Sequence, residues 1–79
     1  MSELEKLRAI VARLRAPEGC PWDREQTNDS LLPALLEEAY EVAGAVRTRD
    51  DANLREELGD LLLLIMMHSQ IASEENRFG

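Results

Sequence analysis

The last predicted helix carries acidic side chains inside its apolar stripe. Of all features of the sequence, this one most limits the folds that the chain can adopt. At about 100° per residue, Glu57 and Asp60 fall among the apolar positions of a predicted helix over 53–75, namely Leu54, Leu61, Leu64, Ile65 and Ile71. A buried carboxylate costs several kcal/mol unless it is protonated, paired or metal-bound. Arg55, the arginine of this helix, lies about 160° around the helix axis from Glu57, so it does not face the two acids. The pattern predicts a helical core with a charged site in it.

The first half of the sequence predicts one helix followed by a long loop. Apolar residues at three- and four-residue steps predict a helix over 3–15: Leu4, Leu7, Ile10, Val11 and Leu14. Pro17 and Gly19 end it, and we expect Pro21 to keep residues 16–29 out of helix, with at most one short turn. Loops of this length are usually functional or disordered, and the tryptophan at its centre argues against disorder.

The second half predicts two helices joined by a short turn. With Ser30 as N-cap, Pro33 would fall at the third helical position, and this helix would run to about Arg47. Residues 48–51 form the turn, with Asp51 or Asn53 as the next N-cap. The fold class is therefore all-α, an antiparallel helical hairpin plus an N-terminal helix.

The third predicted helix is apolar on nearly every side over residues 58–67, which is typical of a helix buried all round. A 79-residue chain is marginal alone, burying roughly 60% of its unfolded surface. Two other helices cannot cover such a helix completely. We therefore expect a homodimer or homotetramer in which a second subunit completes a four-helix bundle, and a site that draws on both chains.

Two acidic pairs are predicted to face each other across the hairpin. Glu37, Glu38 and Glu41 fan over one quarter of the second helix, and Glu38 borders its apolar face. Glu38 precedes the turn by about as many residues as Glu57 follows it. The two acidic pairs are therefore expected at the same level along the antiparallel helices. Converging carboxylates suit a hard divalent ion such as Mg²⁺, with Mn²⁺ as a second possibility. The alternative is a solvated acidic surface.

Composition excludes several other classes of site and partner. With 9 Lys+Arg against 16 Asp+Glu, the net charge of −7 excludes a general binder of nucleic acid backbones. A single cysteine and a single histidine cannot form a zinc cage. The longest apolar run, 61–67, is too short to cross a membrane, and the acidic N-terminus is unlike a signal peptide. We therefore expect a cytoplasmic protein without a membrane partner.

Three ordered motifs carry a family resemblance: Gly19-Cys20-Pro21-Trp22-Asp23-Arg24-Glu25-Gln26-Thr27, Glu37-Glu38-Ala39-Tyr40-Glu41 and Glu57-Leu58-Gly59-Asp60. Together they resemble the MazG nucleoside triphosphate pyrophosphohydrolases. The resemblance implies an all-α, Mg²⁺-dependent enzyme that cleaves a nucleoside triphosphate to the monophosphate and pyrophosphate, in house-cleaning of nucleotides. It implies metal ligands at Glu38, Glu41, Glu57 and Asp60. Glu37 would be an outer ligand or position the attacking water, so Glu37 and Glu38 are the catalytic candidates.

The loop supplies the candidate substrate-binding residues. Trp22 could stack on a nucleobase or anchor the loop by packing. Arg24 could bind phosphate or remain a solvated charge, and Gln26 could bind a base or cap the next turn. His68 lies too far along its helix from Glu57 to act as general base, and we interpret it as a structural or interface residue.

The resemblance covers nearly the whole sequence, and we interpret residues 1–79 as one domain. Family domains usually continue beyond a run like Glu74-Glu75-Asn76-Arg77-Phe78, whereas this sequence stops at Gly79, so a truncated C-terminus stays open. Two alternative functions also stay open. One is a non-catalytic helical oligomerisation or regulatory module. The other is a pyrophosphohydrolase for a related phosphate ester such as phosphoribosyl-ATP.

Overall fold

Residues 2–78 are described by a computed structural model, and they form four helices. These are α1 (Glu3–Arg15), α2 (Pro21–Glu25), α3 (Asn28–Thr48) and α4 (Asp51–Glu74). The helices α3 and α4 pack against each other along most of their length, α1 packs against α4, and α2 packs against α1. The described part of the chain contains no strand. The predicted all-α class is therefore confirmed.

The predicted N-cap of the second long helix is wrong, because α3 begins earlier, at Asn28. Thr27 is the N-cap: its side chain accepts a hydrogen bond from the Ser30 backbone N–H at 3.0 Å. The Ser30 hydroxyl in turn accepts from the Thr27 backbone N–H at 2.8 Å. This reciprocal capping box satisfies two N–H groups of the first turn. Pro33 consequently lies inside the helix, past the first turn where its missing N–H would be harmless.

The loop prediction is also partly wrong, because Pro21 begins a helix instead of preventing one. It is the first residue of α2, where the fixed φ of proline suits a helix and its missing N–H has no intrahelical acceptor. The helix is five residues long, with the Gln26 N–H bonded to the Asp23 carbonyl after its last residue. The chain therefore holds four helices in residues 2–78, where the sequence predicted three.

A very short connection joins α3 to α4. Arg49 ends α3 in the left-handed conformation, with φ of 57°, and its N–H bonds back to the last turn. Asp50 caps α4 by accepting a hydrogen bond from the Asn53 N–H at 3.1 Å. The predicted start near Asn53 is therefore two residues late, because Asp50 does the capping. Only Arg49 and Asp50 separate the two helices.

The core lies where α1, α3 and α4 meet. Its buried apolar side chains are Val11 from α1, Leu31 from α3, and Met67 and Ile71 from α4. Leu7, Leu64 and Met66 pack against this cluster while only partly buried. The core occupies the end of the α3–α4 pair that contains the start of α3, so the opposite end, near the connection, depends on the α3–α4 contact alone.

The middle of α4 is not buried on every side within one chain. Leu58, Leu62, Leu63 and Ile65 are each more than two-fifths exposed. The expectation of complete burial is therefore not met by the contacts of this chain, because α1 covers only part of α4. No helix within residues 2–78 is long and apolar enough to cross a membrane.

Candidate metal centre

The α3–α4 contact brings three of the predicted carboxylates together. Glu38 and Glu41 lie one turn apart on α3, and Glu57 lies on the facing side of α4. One carboxylate oxygen from each of the three lies within 4.8 Å of the others. The short connection produces this alignment, because it places residues at similar distances from the turn opposite one another.

Two oxygens of this acidic cluster, Glu38, Glu41 and Glu57, are buried without a partner. They are Oε2 of Glu38 and Oε2 of Glu57, and neither has a hydrogen-bond partner among the described residues. A carboxylate oxygen accepts hydrogen bonds but cannot donate one while charged. The three side chains therefore cannot satisfy one another, and the buried oxygens require a proton or a cation.

The close approach of the three carboxylates changes the pKa values of Glu41 and Glu57. The pKa of Glu41 is raised, first because its carboxyl shares a hydrogen bond with Glu57, and then because of burial and the Glu57 charge. The pKa of Glu57 is raised as well. Its hydrogen bond with Glu41 lowers the value, but the hydrogen bond with Glu38, burial, and the charges of Glu38 and Asp60 together outweigh that effect. The cluster therefore resists carrying its full negative charge without a cation.

The two other predicted acids lie outside the cluster. Asp60 is exposed, so the expectation that it sits buried in the apolar stripe is wrong within the single chain. Within residues 2–78, α2 does not pack against α4, and the α4 residues that share a core with Val11 of α1 are Met67 and Ile71, farther along the helix. Asp60 still lies close enough for its charge to raise the pKa of both Glu41 and Glu57. Glu37 is exposed, as its position on the outer side of the helix predicted.

The donor set fits a hard divalent ion. The three ligand candidates offer only carboxylate oxygens, which Mg²⁺ and Mn²⁺ prefer, and no thiolate or imidazole accompanies them. Asp60, one turn beyond Glu57, could add a fourth oxygen after a side-chain movement. The residues present therefore suit the ion that the sequence predicted.

An open cavity of about 510 Å³ adjoins the acidic cluster. Glu41 and Glu57 form its acidic wall, and its other lining residues are Tyr40, Gly44, Ala45, Thr48 and Asn53. The sequence motifs do not mark these as site residues, and Thr48 and Asn53 are predicted only as parts of a turn. Their spacing could have identified them as neighbours of the acids. Asn53 precedes Glu57 by one helical turn, and Thr48 follows Glu41 by two, so each lies on the same side of its helix as that glutamate.

The sequence matches a known family over the region that builds this site. A profile of the MazG nucleotide pyrophosphohydrolase domain matches residues 26–79, which include both acidic motifs. The chain belongs to the MazG family. It is 50% identical over 74 residues to the nucleoside triphosphate pyrophosphohydrolase/pyrophosphatase MazG of Thermotoga maritima. It is 49% identical over 79 residues to the nucleoside triphosphate pyrophosphohydrolase of Escherichia coli K12.

These MazG relatives are much longer than this chain. The Thermotoga alignment covers 94% of the chain and 29% of the relative, and the Escherichia coli alignment covers 99% and 30%. A nucleoside triphosphate pyrophosphohydrolase of Mycobacterium tuberculosis is 53% identical over 69 residues, 87% of the chain and 21% of its own length. The chain therefore spans less than a third of each of these relatives.

The predicted substrate-binding residues of this MazG-family chain lie on and just after α2, away from the acidic cluster. Trp22 is 60% exposed. The Arg24 guanidinium donates a hydrogen bond to the Pro17 carbonyl. The Gln26 amide donates to the Trp22 carbonyl at 3.1 Å and accepts from the Ser30 hydroxyl at 2.8 Å. Gln26 thus bonds to its own neighbours, and a substrate role for these three residues stays a prediction.

His68 is held by the start of α3. Its Nδ1 lies 2.8 Å from the Asn28 amide nitrogen, which also donates to the His68 carbonyl at 3.3 Å. Arg77 donates to the Asn28 amide oxygen, so the amide orientation is fixed from both ends. The histidine bridges two helices, which agrees with the structural role that its distance from Glu57 suggested.

Proposed function

We propose that this chain catalyses the Mg²⁺-dependent hydrolysis of a nucleoside triphosphate to the monophosphate and pyrophosphate, with water attacking the α-phosphorus. The observation that carries the proposal is the acidic cluster, in which one carboxylate oxygen of each residue lies within 4.8 Å of the others and the Oε2 atoms of Glu38 and Glu57 are buried without partners. Acids so placed destabilise a fold unless a proton or a bound cation neutralises them. The MazG relatives named as nucleoside triphosphate pyrophosphohydrolases support the same reaction.

The roles of the acids follow from their positions. Glu38, Glu41 and Glu57, joined by Asp60, would hold Mg²⁺, or Mn²⁺ in its place. When bound, the metal supplies positive charge that neutralises the phosphate oxygens as charge develops on them. Glu37 is exposed beside the cluster, where its carboxylate can orient a water molecule and accept its proton together with Glu38. Both are therefore proposed as catalytic residues.

Substrate binding would use the cavity beside the cluster. The chain carries a net charge of −7, so a triphosphate reaches the acidic wall only when accompanied by cations. Tyr40, Thr48 and Asn53 line that cavity and offer hydroxyl and amide groups for the sugar or base. Trp22, Arg24 and Gln26 lie away from this cavity within one chain and are proposed to bind the nucleotide held by a second subunit. The substrates proposed are house-cleaning targets, ordinary or non-canonical nucleoside triphosphates.

We further propose that the active unit is a homodimer or homotetramer, in which the antiparallel pair α3–α4 forms a four-helix bundle with its partner's pair. The exposed apolar side chains of α4, Leu58, Leu62, Leu63 and Ile65, support this assembly, because water contact with such a row is unfavourable. Leu36 and Tyr40 on α3 are exposed as well. Light scattering at micromolar concentration tests it, and a mass of one chain would contradict it.

Pyrophosphate release tests the proposed reaction. The chain would be assayed on ribo- and deoxynucleoside triphosphates and on phosphoribosyl-ATP, with Mg²⁺ and then with EDTA. We expect release of pyrophosphate and the matching monophosphate in equal amounts with Mg²⁺ only. Cleavage of phosphoribosyl-ATP alone would support the alternative function, a pyrophosphohydrolase for a related phosphate ester.

A pair of neighbouring glutamates provides the matched control. Glu57→Gln removes one charge from the acidic cluster, and we expect it to abolish both turnover and the Mg²⁺-induced rise in melting temperature. Glu56→Gln makes the same change at an exposed position outside the cluster and should leave both unchanged. Equal activity in the two variants would refute the metal site. Absent turnover together with an absent Mg²⁺ response in the unaltered chain would favour the non-catalytic module.

A further inference from the structure

Arg15, at the end of α1, joins three parts of the chain through one side chain. Its Nη1 donates hydrogen bonds to the carbonyls of Asp23, at 2.6 Å, and Gln26, at 2.9 Å. Its Nε and Nη2 donate to the Glu74 carboxylate on α4, each at 3.0 Å. The Arg15 side chain is only 7% exposed, although it carries a full charge.

The contacts of Arg15 require an arginine. The planar guanidinium presents several N–H groups in a fixed fork, so it can bind two carbonyls on one edge and a carboxylate on the other. A lysine could keep the ion pair with Glu74, but its single nitrogen could not span both partners. The Gln70 amide also donates to Glu74, at 3.0 Å, which holds the carboxylate in place. The pKa of Glu74 is lowered, mainly by its hydrogen bonds from Arg15.

Apart from Arg15, side-chain hydrogen bonds tie the short helix α2 to the loop before it, through Arg24 and Pro17, and to the start of α3, through Gln26. The helix α2 is five residues long, too short to be stable by itself. Within residues 2–78 it packs closely against α1 and against no other helix, and none of its residues is buried. Arg15 links α2 to α4, because it bonds to Asp23 and to Gln26, the C-cap of α2, and also pairs with Glu74 on α4. Trp22, on α2, is 60% exposed.

We propose that Arg15 is a positioning residue for substrate binding: through the ion pair with Glu74 and the hydrogen bonds to Asp23 and Gln26, it fixes α2, and with it Trp22 and Arg24, relative to the α3–α4 pair. This inference rests on the proposed function. Arg15 does not touch the nucleotide. Arg15 fixes the position from which Trp22 and Arg24 contact the nucleotide.

Kinetics of Arg15→Lys test the proposal, with Arg13→Lys as the matched control. Arg13 is an exposed arginine in the same last turn of α1. Losing hydrogen bonds from a charged group weakens an interaction by about tenfold or more. We expect Arg15→Lys to raise KM about tenfold with kcat within threefold, because the acidic cluster is untouched. Arg13→Lys should change neither constant. A fall in kcat with unchanged KM would overturn the proposal.

A double-mutant cycle separates positioning from general destabilisation. If Arg15 acts through α2, the effect of Arg15→Lys on KM should disappear in a Trp22→Ala, Arg24→Ala background, since nothing remains to be positioned. A purely structural role would give the same factor in both backgrounds, and that result would refute the inference.

Fluorescence of the single tryptophan gives a readout that needs no turnover. Trp22 is the only tryptophan of the sequence, and it lies on α2. Time-resolved anisotropy should show a larger amplitude of fast motion in Arg15→Lys than in the unaltered chain, with Arg13→Lys unchanged. Unchanged anisotropy in Arg15→Lys would overturn the positioning role. An inactive unaltered chain with this anisotropy difference would count against the proposed reaction and leave Arg15 as the residue that fixes α2.

Discussion

Replacing Val11 by alanine tests how α1 is attached to the rest of the chain. Val11 is 0% exposed and contacts the core residues Leu31, Met67 and Ile71. Val11→Ala removes two buried carbon atoms, which is worth about 1.6 kcal/mol in transfer free energy. A remaining cavity of about 50 Å³ adds roughly 1 kcal/mol. We therefore expect the free energy of unfolding to fall by about 2–3 kcal/mol.

That loss is large for a chain of 79 residues, whose free energy of unfolding is expected to be roughly 4–12 kcal/mol. The melting temperature should fall by roughly 10–20 °C, since each kcal/mol shifts a small domain by several degrees. The assay is thermal unfolding followed by circular dichroism, checked by urea denaturation at a fixed protein concentration. Concentration must be fixed because association also stabilises the folded chain.

Ile10→Ala is the matched control for Val11→Ala. Ile10 is the neighbouring residue on α1 and has a larger side chain, but it is 55% exposed. We expect it to lower the free energy of unfolding by less than about 1 kcal/mol. Val11→Ala should also keep the Mg²⁺-induced stabilisation, because the acidic cluster belongs to α3 and α4. An equal or smaller loss for Val11→Ala than for Ile10→Ala would refute this description of the core.

Further predictions concern the pH dependence of stability and the N-terminal cap of α3. The pKa values of Glu41 and Glu57 are raised above the ordinary 4.5, so without metal their contribution to stability declines as pH rises through the raised values. Because Mg²⁺ competes with these protons, the Mg²⁺-induced rise in melting temperature should grow over the same pH range, and a pH-independent rise would contradict the site. The pKa of Glu74 is lowered, so its stabilisation is complete above 4.5 and lost as pH falls through the lowered value. Glu74→Gln should flatten that part of the acid unfolding curve. Thr27→Ala should lower the free energy of unfolding by about 1 kcal/mol in urea titrations, whereas an unchanged midpoint would argue against the capping box.

Apolar periodicity predicted the long helices well, while their ends depended on side-chain hydrogen bonds. Three- and four-residue spacing was enough to place α1 within its observed bounds. The start of α3 was misplaced because Ser30 is a plausible cap alone, and only its reciprocal bonding with Thr27 makes it the third helical residue. Pro21 was read as a helix breaker, although at a first helical position it favours a helix.

The part of the acidic site that depends only on helix geometry could be predicted from the sequence. The facing of Glu38 and Glu57 follows from their distances to the turn, and the structure brings these two together with Glu41. The exposure of Asp60 was not predictable, because it depends on what covers that side of α4 and not on the periodicity of the helix. The Arg15 contacts were also beyond sequence analysis, since Glu74 is 59 positions away along the chain.

The left-handed Arg49 and the Asp50 cap make the α3–α4 connection one of the shortest possible, and this bears on the order of folding. Residues 38 to 57 form a contiguous segment, so the candidate metal ligands meet by closing a small loop, at low entropic cost. We expect the acidic cluster to assemble in the folding transition state, before α1 docks. A divalent ion would then accelerate folding and leave the rate of unfolding nearly unchanged, so the metal concentration would set how fast the chain folds.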